Sequence, residues 1–551
     1  MPKGTLPHAH DTSRGDDGKS DSVRVPVLVL GGGPAGLALA LELSMHGVSV
    51  TVVEPRLSVD HQRPRAKTTS ARTMEFFRRW GVADEVRAAA ALPVSWSDRI
   101  TFCTTVTGPE VTAFTGVFGL DLTGSPLVAE AGQQVTQPVI EQVLRDAAES
   151  SSSVTLLLGQ RGVSVQMDPD GASVTVEDLD GARRVIHADY LVGADGPRSI
   201  VRAAMGARYQ GSDTGRPNVN ITFRAPGLAR LIPHPPSVHY WVLNPDAPGV
   251  VGPLDLNDMW WAISTGTESI ADEHEAATIV RRLIGLDDLE VDVIATDPWQ
   301  ARMLLADRYN VGRAFLIGDA AHQNPPWGGH GFNTGVGDAM NLGWKLAAVV
   351  QGWAPAALLD SYETERRPVA QATIDVAVDN TRALSIDLAD PGLMSAGQTF
   401  DGARARVAAA IQHRKDAEFH SLGLVLGTGY GPDSPLQAPN IGTYIPLIAA
   451  GNRLPHRWLP DGTSLYDALG PEMTVIGRAA DTVHVLAATR DQAVPATWID
   501  SDPDIEVPAV VLVRPDEVIA WAGVAPTPED AQEIVRRALR GFATQMAESN
   551  S

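Results

Sequence analysis

A glycine-rich turn between a strand and a helix constrains the fold of this chain more than any other feature. Residues 23–30 are rich in valine and leucine, residues 31–36 read GGGPAG, and residues 37–41 are apolar again. In a G-x-G-x-x-G turn the first glycine permits the bend, the second lets the backbone approach a phosphate, and the third lets helix and strand pack closely. A second valine-rich run follows at 48–53. The sequence therefore predicts a parallel, doubly wound α/β sheet whose first turn binds a dinucleotide.

Glu54 supports this interpretation. It ends the second predicted strand, 23 residues after Gly31, where a carboxylate can accept hydrogen bonds from ribose hydroxyls. The turn and the carboxylate fit NAD and FAD equally well, so they do not choose between the two cofactors. The alternative is an ordinary βα turn beside a surface glutamate.

Charge and cysteine content argue against several classes of protein. The 44 Lys and Arg residues against 66 Asp and Glu residues give a net charge of -22, which opposes binding to nucleic acid or to an anionic membrane surface. The one cysteine, Cys103, cannot form an internal disulfide or supply the several thiolates typical of structural zinc and iron–sulfur sites. No run reaches the roughly 18 apolar residues of a membrane span. We therefore expect a cytoplasmic protein with small-molecule partners and no metal site.

Changes in sequence texture divide the chain into blocks. Residues 1–22 are polar and rich in Gly, Asp and Ser, which predicts a disordered tail. The α/β texture covers 23–205 and 301–395, and the β-like runs between them, at 206–300, predict an inserted β-rich domain. Residues 416–551 form a separate C-terminal block.

Short elements are also predicted within these blocks. A long helical region is expected from about Gly335 to Ala383. In the C-terminal block we predict strands at 473–476, 483–487 and 509–513, and a helix then closes the block at 528–539.

Three motifs in a fixed order carry a resemblance to a known family. The glycine turn at 31–36 is followed by DGPRSIVR at 195–202 and by GDAAHQNP at 318–325. Together they resemble the single-component FAD-dependent aromatic hydroxylases, the group A flavoprotein monooxygenases. The resemblance implies an α/β fold with a Rossmann-like (GR2-type) FAD-binding domain, an inserted β-rich substrate domain, and a thioredoxin-like C-terminal domain.

The resemblance also implies which residues contact FAD. Arg65 corresponds to an arginine that reaches the pyrophosphate, while Gln137 and Asp319 correspond to residues on the ribityl chain. A loop at 326–335 is expected to open a helix near Gly335, whose N-terminus faces the pyrimidine edge of the flavin. The implied FAD-contacting residues are Gly31, Gly33, Pro34, Ala35, Gly36, Glu54, Arg65, Gln137, Asp195, Gly318, Asp319, Gly331 and Asn333.

Substrate and catalytic candidates are fewer. Tyr240, Trp241 and Trp260 fall in the β-rich block that forms the roof of the substrate pocket in the family, and Trp327 falls in the flavin-side loop. Because adjacent strand residues point to opposite faces, at most one of each adjacent pair in the β-rich block can line that pocket. The catalytic residue stays open, with His330, Lys67 and Pro325 as candidates, and His322 is interpreted as a support of its loop.

Lys67 is a departure from the family pattern. The phenol-hydroxylase branch has a substrate-activating aspartate at this point of the sequence. A lysine there leaves the source of substrate deprotonation open, although a cation could favour a phenolate.

The activity implied by the resemblance is a monooxygenation. NAD(P)H would reduce FAD, O2 would form the flavin C4a-hydroperoxide, and one oxygen atom would enter a phenolic or polyketide-type aromatic ring. Two alternatives are epoxidation or Baeyer–Villiger insertion by the same flavin chemistry, and a non-redox FAD-fold binding or escort protein.

The C-terminal block resembles a thioredoxin-like domain through Arg514, Pro515 and Asp516 followed by Trp521. It contains no cysteine, which excludes thiol redox chemistry. We therefore expect it to serve packing or homo-oligomer formation, with the chemistry carried by residues before 345.

Overall fold

The computed structural model of the protein describes residues 23–431, 441–501 and 509–542. The predicted disordered tail, residues 1–22, lies outside these ranges. Within them, no helix is both long enough and apolar enough to cross a bilayer.

The strands in the described part of the chain belong to five sheets, of which three are large enough to organise the fold. In chain order they are β1 (Val23–Leu30), β2 (Val50–Glu54), β3 (Thr68–Thr69), β4 (Ile100–Cys103), β5 (Glu110–Phe114), β6 (Gln133–Gln134), β7 (Val154–Leu158), β8 (Arg161–Asp168), β9 (Gly171–Glu177), β10 (Arg183–Gly193), β11 (Tyr209–Ser212), β12 (Pro217–Arg224), β13 (His239–Val242), β14 (Gly249–Pro253), β15 (Met259–Thr265), β16 (Asp292–Gln300), β17 (Met303–Ala306), β18 (Asn310–Val311), β19 (Ala314–Leu316), β20 (His322–Gln323), β21 (Met473–Gly477), β22 (Ala496–Ile499), β23 (Val510–Val513) and β24 (Ile519–Gly523).

The helices cover the sheets and connect the domains. In chain order they are α1 (Pro34–Met45), α2 (Ala71–Arg79), α3 (Ala83–Ala89), α4 (Gln137–Ser150), α5 (Ile200–Ala204), α6 (Leu228–Leu231), α7 (Glu273–Ile284), α8 (His330–Val350), α9 (Ser361–Asn380), α10 (Ser385–Leu388), α11 (Gln398–Phe419), α12 (Leu422–Leu426), α13 (Leu465–Ala468), α14 (Ala479–Asp491) and α15 (Pro528–Ala538).

The first large sheet carries the predicted dinucleotide-binding turn at its centre. Its parallel strands lie in the order β19-β10-β1-β2-β7, and β18 and the β8–β9 hairpin attach antiparallel. All of β2 and the last four residues of β1 are buried, as expected of central parallel strands covered on both faces. This confirms the predicted doubly wound α/β fold.

The second large sheet is mostly antiparallel and has the order β16-β12-β15-β14-β13-β4-β5. Two of its strands, β4 and β5, come from before residue 206, so the sheet extends beyond the predicted 206–300 block. Helix α7 packs with the apolar side chains of one face. Helix α11 packs with those of the other face, which lines the same cavity as residues of the first sheet.

The C-terminal sheet has the order β22-β21-β23-β24. Strands β21 and β22 are parallel and joined by α14, whereas β23 and β24 run antiparallel and lead into α15. This is the βαβββα order of a thioredoxin-like domain. The predicted strand at 483–487 is wrong, because these residues lie in α14. A parallel β21–β22 pair needs a crossover, and its helix buries Val485 and Ala488 against the sheet.

The long helical region predicted from Gly335 to Ala383 is two helices, α8 and α9. Helix α8 begins at His330, five residues before the predicted start, because Gly329 has a left-handed φ of 70° that ends the preceding loop. The residues of the loop that follow Gly329 therefore form the first turn of the helix.

Candidate active site

One large cavity lies between the glycine turn and the inner face of the second sheet. Its volume is roughly 940 Å³, near the upper end of the range for small-molecule sites, which leaves room for a cofactor and a second ligand. Residues of the first sheet line one end, and aromatic side chains of the second sheet line the other.

The glycine turn has the geometry that a phosphate requires. Gly31 has a φ of 109°, and a Cβ on it would lie 2.2 Å from the Ala194 carbonyl oxygen. A Cβ on Gly36 would lie 2.0 Å from the Gly31 oxygen, whereas the space around Gly33 is open. No side chain caps the first turn of α1, which begins at Pro34. Its free N–H groups can therefore receive an anion from the cavity.

Glu54 lies at the end of β2 with its carboxylate held in place. Its Oε2 accepts a hydrogen bond from the Gly32 backbone N–H at 2.8 Å, and its Oε1 accepts one from Arg56 Nε at 2.6 Å. Both Glu54 and Arg56 line the cavity. The carboxylate is thus fixed beside the turn, where the ribose of a dinucleotide is expected.

Unpartnered polar atoms at the cavity wall fit a bound dinucleotide. Among the described residues, Asp195 Oδ1, Gln323 Nε2 and Asn324 Nδ2 are buried without a hydrogen-bond partner, and all three residues line the cavity. Asp195 Oδ2 is occupied, because it accepts a hydrogen bond from the Ile200 N–H at 2.8 Å. Buried polar atoms of this kind normally have partners, and a polar ligand in the cavity would supply them.

The side chain of Asp319 is exposed to the cavity. It follows Gly318, whose φ is 57°, in the short 3-10 turn after β19. The surrounding protein desolvates the carboxyl and raises its pKa, while the charges of His322 and Arg65 oppose that rise. A hydroxyl-bearing ligand chain would meet a ready acceptor here.

Other predicted FAD-contacting residues line the same wall. Arg65, Gln137 and Ala35 line the cavity, as does Gly331 in the first turn of α8. Arg65 has a left-handed φ of 44°, which is unusual for a residue other than glycine. Within the described residues no carboxylate forms an ion pair with it.

Asn333 is predicted to contact FAD, but its side chain does not line the cavity. It makes hydrogen bonds between two segments of the protein instead. Its Oδ1 accepts from the Ser70 N–H at 2.9 Å, and its Nδ2 donates to the Thr68 oxygen at 3.1 Å and to the Gly329 oxygen at 2.6 Å. It therefore ties the first turn of α8 to the segment that contains β3. Gly36 likewise packs helix against strand and does not line the cavity.

The two histidines of residues 318–335, His322 and His330, are buried away from the cavity. His322 Nε2 lies 2.9 Å from Asp338 Oδ2, and Arg366 Nε donates to Asp338 Oδ1 at 2.8 Å. His330 lies at the start of α8, at a small interior cavity of about 80 Å³ that faces the C-terminal part of the chain. The geometry gives neither histidine a place beside a substrate, whereas Pro325 does line the large cavity.

Aromatic rings form the far end of the cavity. Trp241 lies between Phe102 and Trp327, with ring-centroid distances of 5.4 and 5.6 Å, and Trp327 lies 6.2 Å from Trp299. Trp261 also lines this end. The rings give the chamber an apolar, polarisable surface on which a planar ligand can stack.

Tyr240 and Trp260 are corrected as substrate candidates. Both side chains lie in the apolar cluster on the opposite face of the second sheet, packed against α7. Their neighbours Trp241 and Trp261 point into the cavity instead. The alternation of strand side chains accounts for this arrangement, which sequence alone could not resolve because it does not show which face of the sheet is inward.

Titratable groups also reach the aromatic chamber. Burial lowers the pKa of Lys67 to about 7. Burial, with added repulsion from Lys67 and Lys415, lowers the pKa of His239 to about 3. Lys415 forms a buried ion pair with Glu418 and lies 4.0 Å from the Trp241 ring centroid. Glu418 lines the cavity, so the expectation that all site residues precede 345 is wrong.

Several cavity residues were not singled out by the sequence. Trp299 belongs to β16, Glu418 to α11 and Phe118 to a tight turn where its φ is 57°. Each comes from a different element, and none of them belongs to a recognisable sequence motif. Their proximity arises only from the packing of α11 and the second sheet.

A turn suited to a dinucleotide opens here into a chamber of aromatic side chains. This combination is typical of a cofactor-dependent enzyme that acts on aromatic ligands. Comparison with known proteins identifies the family. A model described as "FAD binding domain" matches residues 24–377, and one described as "Aromatic-ring hydroxylase, C-terminal" matches residues 448–543.

Relatives extend this match along the whole chain. A 4-methyl-5-nitrocatechol 5-monooxygenase from a Burkholderia species is 32% identical over 560 residues, which cover 94% of this chain and 98% of the relative. The solved structure of RebC with bound 7-carboxy-K252c is 32% identical with a TM-score of 0.85 and covers 94% of this chain and 99% of RebC. The ternary complex of aklavinone-11 hydroxylase with FAD and aklavinone is 27% identical with a TM-score of 0.80, covering 94% and 99%.

The chain therefore belongs to the FAD-dependent aromatic-ring hydroxylases, a family of flavoprotein monooxygenases. FAD, and not NAD, is the dinucleotide of the glycine turn, and NAD(P)H is the reductant typical of the family. Membership in an enzyme family argues against the alternative of a non-redox binding or escort protein.

Proposed function

We propose that this protein hydroxylates a phenolic aromatic compound of several fused rings, of the polyketide type, with NAD(P)H and O2 as co-substrates. The observation that carries the proposal is a continuous cavity lined both by the glycine turn and by the tryptophans of the chamber. Bound FAD would supply the reduction of O2 and the transfer of one oxygen atom. The protein would bind and orient the ring and exclude water from it.

The residues fit FAD from one end of the cavity to the other. Gly33 and the free N–H groups of α1 would hold the pyrophosphate together with Arg65, and Glu54 would hold the ribose. Asp319 and Gln137 would receive the ribityl hydroxyls. The first turn of α8 would face the flavin ring, because Gly331 and Phe332 line the cavity and the N-cap residue Gly329 makes no side-chain hydrogen bond to the first N–H groups of the helix.

The substrate class follows from the chamber at the other end. Trp241, Trp261, Trp299 and Trp327 all line it, which favours a large flat ring system over a small polar molecule. Polar groups between these rings, Lys67 and His239, could contact a ring hydroxyl. The name of the Burkholderia relative, a monooxygenase of a nitrocatechol, supports a phenolic substrate.

The test is a screen of single-ring and fused-ring phenols with purified protein reconstituted with FAD. We expect one or more fused-ring phenols to stimulate NAD(P)H oxidation and to yield a product with one added oxygen on the ring. Catalase-sensitive peroxide, measured in parallel, separates product formation from uncoupled oxidation. A product that is an epoxide or a lactone would instead support epoxidation or Baeyer–Villiger insertion. NAD(P)H oxidation that no aromatic compound stimulates would contradict the proposal.

Association through the C-terminal domain remains a prediction. The buried ionic contacts of this domain face the FAD-binding domain of the same chain, so they do not report on a second copy. Light scattering of the full chain measures the assembly directly.

A further inference from the structure

Lys67 occupies a fixed position at the junction of the two halves of the cavity. Its carbonyl oxygen accepts a hydrogen bond from the Val135 N–H at 2.9 Å, and the preceding Ala66 oxygen accepts from Gln137 N–H at 2.8 Å. The following residue, Thr68, is held by Asn333 through its carbonyl oxygen. The stem of the lysine therefore starts between the flavin-side loop and the substrate chamber.

The Lys67 side chain crosses from the FAD-binding domain to the second sheet. Its Nζ donates a hydrogen bond to the Arg65 carbonyl oxygen at 2.8 Å and lies 4.1 Å from the centroid of the Trp261 ring. Within the described residues, no carboxylate forms an ion pair with this amine. Lys67 and the Trp261 ring line the same end of the cavity, so a substrate bound in the chamber can bring a ring hydroxyl close to Nζ.

Burial favours the neutral form of Lys67. Desolvation lowers its pKa to about 7, so near neutral pH a substantial fraction of the amine carries a lone pair that can accept a proton. Other charged or titratable side chains that line the cavity include His239, Asp297, Arg302, Glu418, Asp319 and Arg65, and Lys415 pairs with Glu418.

The competing bases in the chamber are less suited. His239, with its pKa lowered to about 3, is too weak a base to hold a phenol proton. Glu418 is occupied by its ion pair with Lys415. A base with a pKa near the working pH is the most effective one, and the pKa of Lys67 lies in that range.

We propose that Lys67 is a catalytic residue that accepts the proton of a substrate hydroxyl before oxygen transfer. The substrate O–H bond breaks and leaves its electron pair on the oxygen, and a new N–H bond forms on Nζ. The products are a phenolate and an ammonium group, and the ammonium charge stabilises the phenolate. The negative oxygen raises the electron density of the ring at the carbons ortho and para to it. This inference rests on the proposed function, because it requires a phenolic substrate.

The first test measures the amine itself and needs no turnover. The chain has five lysines, Lys3, Lys19, Lys67, Lys345 and Lys415, so acetylation by limiting acetic anhydride can be followed at each site by peptide mass spectrometry. A lysine peptide in the same tube serves as the reference. We expect Lys67 in the FAD-loaded protein to reach half of its maximal reactivity near pH 7, and the reference peptide only above pH 10. Half-maximal reactivity of Lys67 above pH 9 would overturn the proposal.

The second test uses the phenol found in the functional screen, with Lys67→Met and Lys67→Arg as a matched pair. Methionine removes both base and charge, whereas arginine keeps the charge and cannot accept a proton. The absorption of the bound phenol, recorded without NAD(P)H at pH 7.5, should show the ionised form with the native protein and the neutral form with both variants. Turnover per bound flavin should fall by about 100-fold or more in both.

The outcomes of the second test separate the two proposals. An arginine variant that ionises and hydroxylates the phenol as the native protein does would overturn the role of Lys67 as the base. Native protein that forms no phenolic product with any compound would contradict the proposed function instead, while the acetylation profile would still report on the amine. Ethylamine should restore part of the turnover of the Lys67→Met variant. If it restores none, and the variant binds the phenol with the same spectrum as the native protein, Lys67 is not the base.

Discussion

The C-terminal domain is joined to the FAD-binding domain by a buried cluster of ionic side chains centred on Arg514. Its guanidinium donates to both carboxylate oxygens of Glu365 on α9, at 2.9 and 2.8 Å, and to both oxygens of Asp516, at 3.0 and 2.6 Å. Lys345 on α8 also donates to Glu365, at 2.8 Å. The Arg514 side chain is 1% exposed, so water cannot replace these contacts.

Replacing Arg514 with alanine leaves two buried carboxylates, of which Glu365 keeps its ion pair with Lys345 and both keep a hydrogen bond from Asn341 Nδ2. Removing one member of a buried ionic pair typically costs about 3 to 5 kcal/mol, because the partner charge stays buried without compensation. Since Lys345 still pairs with Glu365, we expect a loss near the lower end of this range, about 3 kcal/mol. The loss is measured as the change in the free energy of the first transition seen on unfolding. Arg514→Lys should not restore it, because an ammonium group cannot make the paired contacts of a guanidinium.

The assay is urea unfolding of the FAD-loaded protein, followed by tryptophan fluorescence and by release of flavin. Arg536→Ala is the matched control, since Arg536 lies in the same domain on α15 but is 55% exposed and, among the described residues, pairs with its neighbour Glu533 alone. We expect the control to change stability by less than about 1 kcal/mol. Equal stability of Arg514→Ala and Arg536→Ala would contradict a stabilising role for the buried cluster.

Three further predictions address other parts of the molecule. Asp319→Ala should weaken FAD binding by about 1.5 to 3 kcal/mol, roughly 10- to 150-fold, through loss of a charge-assisted hydrogen bond; titration of apo-protein by flavin fluorescence measures this, and an unchanged affinity would exclude the contact. Trp261→Leu should raise the KM of the phenolic substrate, whereas Trp260→Leu on the opposite face should lower the melting temperature and leave KM unchanged; steady-state kinetics and thermal melts separate the two. His46 lies between two carboxylates that raise its pKa to about 9. The protonated histidine therefore stabilises the fold fully below pH 6.5, and this contribution, at most about 3 kcal/mol, is lost as the pH rises through about 9. The urea midpoint of the native protein should fall across this pH range, and that of His46→Gln should change less.

The sequence predicted the FAD-binding half of the molecule well, and the reason is local. The turn at 31–36 has steric requirements that only glycine meets, and Gly31 and Gly36 show them directly as contacts with backbone oxygens. Strand, turn and helix are adjacent in sequence here, so the pattern of residues already contains the geometry.

The substrate half depended on contacts between distant elements. Alternation limited each aromatic pair to one inward side chain, but the choice of Trp241 over Tyr240 is fixed by which face of the sheet α7 covers. Glu418 reaches the cavity from α11, and no local sequence pattern predicts this position.

The misassigned strand at 483–487 has a related cause. Its valines alternate as in a strand, yet the parallel pairing of β21 with β22 requires a helix at this point of the chain. Tertiary packing then overrides the local β propensity.

The most direct test of the account is the origin of the oxygen atom in the product. The protein, FAD and NAD(P)H are incubated with the fused-ring phenol under ¹⁸O2 in ordinary water, and the product is analysed by mass spectrometry. We expect one ¹⁸O atom on the aromatic ring per product molecule and none when the label is supplied as water. A product whose new oxygen comes from water, or a phenol returned unchanged while NAD(P)H is consumed, would contradict the assignment of this cavity as the site of an aromatic monooxygenation.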